Sequence, residues 1–457
     1  MKTHQPVEQG RMYDIAVRDL GIHGEGIGEA EGFTVFVPGA LPGETVQARI
    51  DTVKKSYALG TLSAVKEASP YRTEPVCPAY HRCGGCQISH LTYEGQLLAK
   101  RRRVMDTISR IAGESPELVR PVMAAPHPFG YRNKMMIPVR SRNGRAEAGY
   151  YALGSHDIAP VSSCAIQQEG NNRLLQAALA IMNRYGITGY NEKTRRGAIR
   201  HIMGRTGEKG SLMAVIITAT KALPHKEDWI RDLRKALPEM VSLYHNVQSR
   251  PGSIVLGPVL HHIWGEETLK ETLCGLHFRV SPYSFFQVNQ EQAQALYDKA
   301  IECCDLKGTE EVIDAYCGTG TISLCLARKA AHVTGIEVVE AAIKDARKNA
   351  RKNGIANADF LIGDAGKVMP ALYRKRVRPD VIVCDPVRAG CGETVLDVAA
   401  GMNPKKIVYV SCNPATLARD ISRLRRHGYR LRLVQPVDMF PQTMHIECVA
   451  LLMREQA

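Results

Sequence analysis

From about residue 281 the chain alternates short apolar runs with amphipathic stretches, and four successive runs each reach an acid. "EVIDAY" carries Asp314, "HVTGIEVV" Glu337, "ADFLIGD" Asp364 and "PDVIVCD" Asp385. This alternation predicts βαβ units and a mostly parallel sheet. In a doubly wound sheet a ligand lies across the carboxyl ends of the strands, so four acids placed there face one crevice. "KKIVYVS", "YRLRLVQPVDMF" and "HIECVALLMR" extend the sheet, and "VEAAIKDARKNARKNG" reads as a connecting helix closed by Gly354.

The first unit places Gly318 and Gly320 at the strand-to-helix turn, where glycine lets a ligand approach the backbone. A carboxylate after the second strand can take both ribose hydroxyls, and one after the third can accept from an adenine amino group. The turn lacks a full G-x-G-x-x-G, since Leu324 stands where the last glycine would be, which disfavours a nicotinamide dinucleotide. S-adenosylmethionine is the better match. Acids serving only as structural caps would account for one or two of the four.

"YVSCNPATLARD" places Cys412 at the end of the fifth strand, at the same crevice, with Pro414 opening the next helix. Amides at that helix start are expected to stabilise its thiolate. A thiolate beside a methyl donor suits methylation of carbon 5 of uracil. Sulfur addition at carbon 6 makes carbon 5 nucleophilic, and a base must later remove the carbon 5 proton. Glu447, a carboxylate in the apolar run "HIECVALL", is a candidate base whose burial would raise its pKa; a surface acid on an edge strand fits that run equally well.

Three regions emerge: 1–67, 68–280 and 281–457. Residues 11–65 alternate short β-rich runs with Gly and Pro turns, as in a small antiparallel barrel, with "KKSY" at 54–57 offering cations and an aromatic to nucleic acid. Residues 70–90 are turn-rich and hold Cys77, Cys83 and Cys86, whose C-x5-C-x2-C spacing suits tetrahedral zinc or an iron–sulfur cluster equally. A helix at about 93–113 follows, with Leu97, Leu98, Val104, Ile108 and Ile111 on its apolar side and Lys100 to Arg103 on a basic outer face. From 131 to 280, mixed strands and helices read as an α+β domain.

The net charge of +14 favours a polyanionic partner, although a merely basic enzyme would show the same balance. No run approaches a membrane span and the N-terminus lacks a signal-peptide core, so a cytoplasmic location is expected.

"VFVPGALPGE" with "GIHGEGIG" resembles the TRAM domain, an OB-like barrel of RNA-modifying enzymes. "SPYSFFQVN", "DAYCGTGTI", "DPVRAG", "SCNPATLARD" and "HIECVALL" together resemble the RNA uracil-C5 methyltransferase family, in particular its 23S ribosomal RNA branch with a TRAM domain and an iron–sulfur cluster.

The resemblance implies an α/β fold. A C-terminal Rossmann-like S-adenosylmethionine-dependent domain follows the OB-like barrel and a central α+β RNA-binding domain. It also implies that Gln287, Tyr316, Glu337 and Asp385 hold the methyl donor, with Asp364 on the adenine side. Cys412 would be the nucleophile, Glu447 the base and Phe285 an aromatic near the target base. Cys77, Cys83, Cys86 and Cys164 would ligate a [4Fe–4S] cluster. The partner is expected to be 23S rRNA, met as a single-stranded or loop uridine, and the enzyme a monomer. Transfer RNA is the alternative substrate. A radical methylthiotransferase is disfavoured, since its C-x3-C-x2-C spacing is absent and it needs neither Cys412 nor Glu447.

Overall fold

The computed structural model describes residues 6–455. The first five residues of the expected barrel region and the last two of the expected methyltransferase region lie outside them. Strands β1 (Met12–Leu20), β2 (Gly26–Ala30), β3 (Phe33–Val37), β4 (Thr45–Val53) and β5 (Ala58–Glu67) form a closed barrel in the order β1-β2-β3-β5-β4. Alternate residues fill its interior, among them Ile15, Val17, Val35, Val37, Val46 and Ile50. In the "KKSY" turn the Tyr57 ring packs edge-on against Phe36, centroids 5.4 Å apart, while Lys54 and Lys55 are exposed.

Helix α1 (Tyr93–Thr107) continues as a π-helical turn over Ile108–Ala112 and stops at Gly113, which has a φ of 67°. Its orientation differs from the sequence expectation. Lys100 is fully buried, Arg101 and Arg103 donate to the Val119 and Met444 carbonyls, and Leu98 and Ile111 are exposed. Of the expected basic face, Arg102 alone is classed as exposed. The apolar pattern was ambiguous because Lys100 buries its charge against Asp438, far away in sequence, at 2.5 Å. Val104, Ile108 and Ala112 join one core with Ile313, Ile382 and Tyr409 of the C-terminal sheet, so α1 packs there.

The central sheet comprises β6 (Lys134–Arg142), β7 (Arg145–Tyr151), β8 (Ile158–Pro160), β9 (Ile199–Thr206), β10 (Leu212–Thr218), β11 (Met240–Val247) and β12 (Val259–Gly265). Their order is β12-β11-β10-β9-β6-β7-β8. Helices α2 (Glu169–Arg184) and α3 (Lys226–Ala236) bury Leu174, Leu175, Trp229 and Leu233 against it. The hairpin β13 (Leu269–Leu273) and β14 (Leu276–Val280) was expected to belong to this region. Its residues pack both ways: Leu273, Leu276 and Phe278 share a core with Leu296 and Val333, while Leu269 packs with Met203 and Val215 of the central sheet.

The remaining elements are α4 (Gln290–Cys304), β15 (Glu311–Asp314), α5 (Thr321–Ala327), β16 (His332–Glu337), α6 (Glu340–Lys352), β17 (Ala358–Ile362) and α7 (Ala365–Arg374). After them come β18 (Val381–Cys384), α8 (Glu393–Gly401), β19 (Lys406–Ser411), α9 (Pro414–Arg426), β20 (Tyr429–Val437) and β21 (Glu447–Arg454). The seven strands lie in the order β17-β16-β15-β18-β19-β21-β20, and β15 to β19 pair in parallel. Strand β21 inserts antiparallel between β19 and β20. The order reverses between β15 and β18, which is where open α/β sheets bind ligands.

Residues 438–446, between β20 and β21, collect contacts from every other part. Asp438 accepts from Lys100 and, at 3.0 Å, from the Tyr93 hydroxyl. Gln442 exchanges two hydrogen bonds with Gln96, of 2.9 and 3.0 Å, and its carbonyl accepts from the Ile88 amide. Tyr131 donates to the Pro441 carbonyl and Asn289 to that of Met439. Truncating one partner of a buried ion pair strands the other charge, at a cost of about 3–5 kcal/mol. Lys100→Met should lower stability by about that amount in equilibrium urea unfolding. A loss below about 1 kcal/mol would mean that the pair does not anchor this loop.

Candidate active site

The glycine turn after β15 is shaped for a ligand. Gly318 has a φ of 53°, and a Cβ built there would find no atom within 4 Å, so the backbone is open on that side. Gly320, at φ 81°, is instead closed in by Phe360 and Ala346, near 3.0 Å from where a Cβ would stand. Glu337 caps the turn, accepting from the Gly318 amide at 3.2 Å and the Val339 amide at 2.8 Å. Asp364 is exposed at the end of β17 and acts electrostatically on Tyr316. Asp314 is fully buried; one oxygen accepts from Ser323 at 2.6 Å and the other has no partner.

Burial, then the nearby Asp314 carboxylate, pushes Asp385 up to about 7. Along 282–286 exposure alternates: Tyr283 and Phe285 are exposed, Phe285 at 73%, and Pro282, Ser284 and Phe286 are buried. Gln287 bonds the buried Tyr297, a residue of α4 that itself feels Asp385 and Glu447. Sequence reasoning missed Tyr297; its helix showed only an ordinary amphipathic pattern.

The antiparallel register of β19 and β21 pairs Ser411 with Cys448. One step further, Cys412 faces Glu447. Directly opposed residues have Cβ atoms about 4.5–5.5 Å apart. Glu447 is buried; that burial and then Asp385 push its carboxyl up to about 8, against a lowering by Arg388. The Cys412 thiol is also raised, by burial first and then by Glu447, with Arg388 opposing. Burial and the two carboxylates therefore oppose the thiolate stabilisation expected from the helix start. Asn413 caps α9, accepting from the Ala415 amide, and its side chain donates to the Arg388 carbonyl at 3.2 Å.

Arg388 and His445 complete this end of the crevice. The guanidinium donates to His445 Nδ1 at 2.8 Å. Burial and then Arg388 hold His445 down at about 4, so its ring stays neutral and can accept. The sequence signal was its position two residues before Glu447.

The four expected cluster cysteines all lie half-buried and outside disulfides. Cys86 is pushed up to about 12 by burial and then by Cys164, Cys83 and Cys77, so the four thiols share one neighbourhood. Gly85 donates its amide to Cys83 Sγ at 3.4 Å, and amides of Ile166 and Gln167 stabilise Cys164. Among the described residues, however, no three His, Cys, Asp or Glu side chains converge as a ready-made metal site.

The sequence profile of the tRNA (Uracil-5-)-methyltransferase family matches residues 259–455, and that of the TRAM domain residues 6–63. An uncharacterized RNA methyltransferase of Halalkalibacterium halodurans is 45% identical over 452 residues, covering 99% of each chain. The chain belongs to the RNA uracil-5-methyltransferase family. A relative from Clostridium tetani, also an uncharacterized RNA methyltransferase, is 43% identical over 99% of this chain and 98% of its own. Among solved structures, the Pyrococcus abyssi tRNA (uracil-54, C5)-methyltransferase in complex with S-adenosyl-L-homocysteine superposes with a TM-score of 0.77. It shares 27% identity, over 96% of this chain and 100% of that one. Among the described residues no helix is long and apolar enough to cross a membrane.

Glu447, Asp385 and Asp314 are raised to about 8, 7 and 6 from ordinary values of 4.5, 3.8 and 3.8. Across that window the folded protein holds protons that the unfolded chain has lost, so stability falls as pH rises. Urea midpoints of the ligand-free protein should decline from about pH 4.5 to about pH 8. Glu447→Gln should flatten the upper half of that decline; an unchanged slope would remove Glu447 from the cause.

Proposed function

We infer that the protein methylates carbon 5 of uridine in 23S ribosomal RNA, with S-adenosylmethionine as donor and Cys412 as a covalent catalyst. The observation that carries the reading is the register of β19 and β21, which sets Cys412 across from Glu447 at the crevice formed by Asp385 and the Gly318 turn. The open backbone at Gly318, the Glu337 cap and exposed Asp364 fit an adenosine ligand, with Gln287, Tyr316 and Asp385 toward its reactive end. S-adenosylmethionine, when bound there, supplies a methyl group as a sulfonium electrophile.

Cys412 Sγ adds to carbon 6 of a uracil stacked near Phe285, the thiol proton is lost and an enolate forms across carbons 4 and 5. Arg388, a nearby cation that favours charge on Cys412, stabilises the thiolate. Once carbon 5 carries the methyl group, Glu447 removes its proton, and the electrons expel Cys412 from carbon 6. A buried carboxyl near 8 is a strong enough base for that step. The base must leave its stack to enter the crevice, which favours loop uridines.

Ribosomal RNA is preferred because the barrel together with the cysteine-bearing segment resembles the ribosomal branch. The Pyrococcus abyssi structure favours transfer RNA as the second reading. Cys77, Cys83, Cys86 and Cys164 would hold a [4Fe–4S] cluster that shapes the segment for folding or RNA docking, outside the methyl-transfer chemistry. The barrel and central sheet would bind RNA, and the protein would act as a monomer.

Cys412→Ala should abolish methylation. Glu447→Gln should slow it roughly 10²- to 10⁴-fold and accumulate a protein–RNA adduct visible on denaturing gels. Activity in Cys412→Ala, or no adduct in Glu447→Gln, would contradict the mechanism. Because Glu447 must be ionised, kcat/KM should rise with pH and level off above about 8. Mapping 5-methyluridine in cells lacking the protein tests the substrate: loss confined to transfer RNA would overturn the ribosomal choice. Stoichiometric zinc without visible absorbance would overturn the cluster.

A further inference from the structure

A second recess lies in the central sheet, away from the methyl-transfer crevice. It encloses about 220 Å³ between β6, the residues after β7, the 190–193 turn and the start of β9. Two tyrosine rings line it, Tyr151 and Tyr190. The Arg200 guanidinium lies over the Tyr190 ring, 4.9 Å from its centroid, and is fixed by bonds from its Nη1 to the Gln248 and Arg250 carbonyls.

Beside this recess Arg200 Nε and His201 Nδ1 are buried without a hydrogen-bond partner, as is Arg140 Nε, which lies 3.5 Å from the Glu147 carboxylate. Arg200 is 3% exposed and His201 7%. Asp157 and Glu192 also line the space. They would repel a phosphate but can accept from the amino groups of a base. Aromatic walls, an arginine plane and groups of both polarities together suit a flat heterocycle.

The recess is physically tied to the catalytic segment. Strand β9 carries Arg200 at one end and Arg205 toward the other, and Arg205 donates to the Ser284 carbonyl, next to Phe285, at 2.9 Å. Five residues of strand span about 17 Å, too far for one nucleotide to occupy both places. On the other side the Tyr151 carbonyl accepts from the Gly84 amide, so the cysteine segment positions one of the rings.

We propose that this recess binds a second unpaired nucleobase of the substrate RNA, stacked on its tyrosines. The inference rests on RNA being the substrate. Occupancy there would fix the register of a loop whose target uridine enters the crevice, so the site selects RNA by the base it displays at a set distance.

Tyr190→Ala, Tyr190→Leu and Tyr190→Phe in the full-length protein test this, with total ribosomal RNA and total transfer RNA from cells lacking the protein as probes. Loss of one base–aromatic stack should weaken RNA retention on filters and raise KM for RNA about tenfold in the Ala and Leu variants, with kcat and thermal midpoint unchanged. Tyr190→Phe, which keeps the ring, should behave as the parent. Equal RNA affinity in all four proteins, or loss in Phe as great as in Ala, would overturn the proposal. Filter retention does not need methyl transfer. Ring-dependent retention without methylation would therefore sink the catalytic reading and leave this site standing, whereas methylation with ring-independent retention would do the reverse.

Discussion

The ion pair of Lys100 with Asp438, both fully buried, holds together parts of the chain 338 residues apart. Burial depresses the Lys100 pKa and Asp438 opposes that, so neither charge is tolerable there without the other. Asp438 begins the loop that meets the cysteine segment, α1, the chain entering the central sheet and the start of α4. The same loop runs into β21, whose first residue is Glu447. Assembly of the modules and placement of the base are therefore one structural event.

The second constraint is the insertion of β21. In an all-parallel continuation the strand after β19 would have carried its residues past the crevice in the other sense. Antiparallel pairing brings the start of β21 beside the end of β19, and the Ser411–Cys448 register then sets Glu447 against Cys412. A slip of one residue would turn Glu447 to the opposite face of the sheet. Burial raises the proton affinity of three carboxylates along this crevice, with Asp314 adding to that of Asp385 and Asp385 to that of Glu447, which leaves the unliganded protein with a pH-sensitive weakness where a cationic ligand would be welcome.

Much of the fold was legible in the sequence. Each of the seven C-terminal runs contains a strand, Gly354 follows α6 in a left-handed conformation, and α9 spans Pro414–Arg426 as its proline start suggested. These features depend on local periodicity and turn chemistry. The misreadings arose where distant partners decide. Lys100 looked like surface charge because Asp438 is not a sequence neighbour. The Cys412 thiol looked activated by its helix start, yet Glu447 and burial push it the other way.

The sequence by itself determined the set of chemical groups and the strands that carry them: the acids at successive strand ends, the open glycine turn, the cysteine before α9. Those follow from short-range patterns. Tertiary structure alone decided that Cys412 and Glu447 face each other, that Arg388 engages His445, and that Tyr151, Tyr190 and Arg200 enclose a recess. The physical reason is that pairing register, desolvation and unsatisfied buried atoms are properties of what packs together, and residues far apart in a chain do not announce their partners.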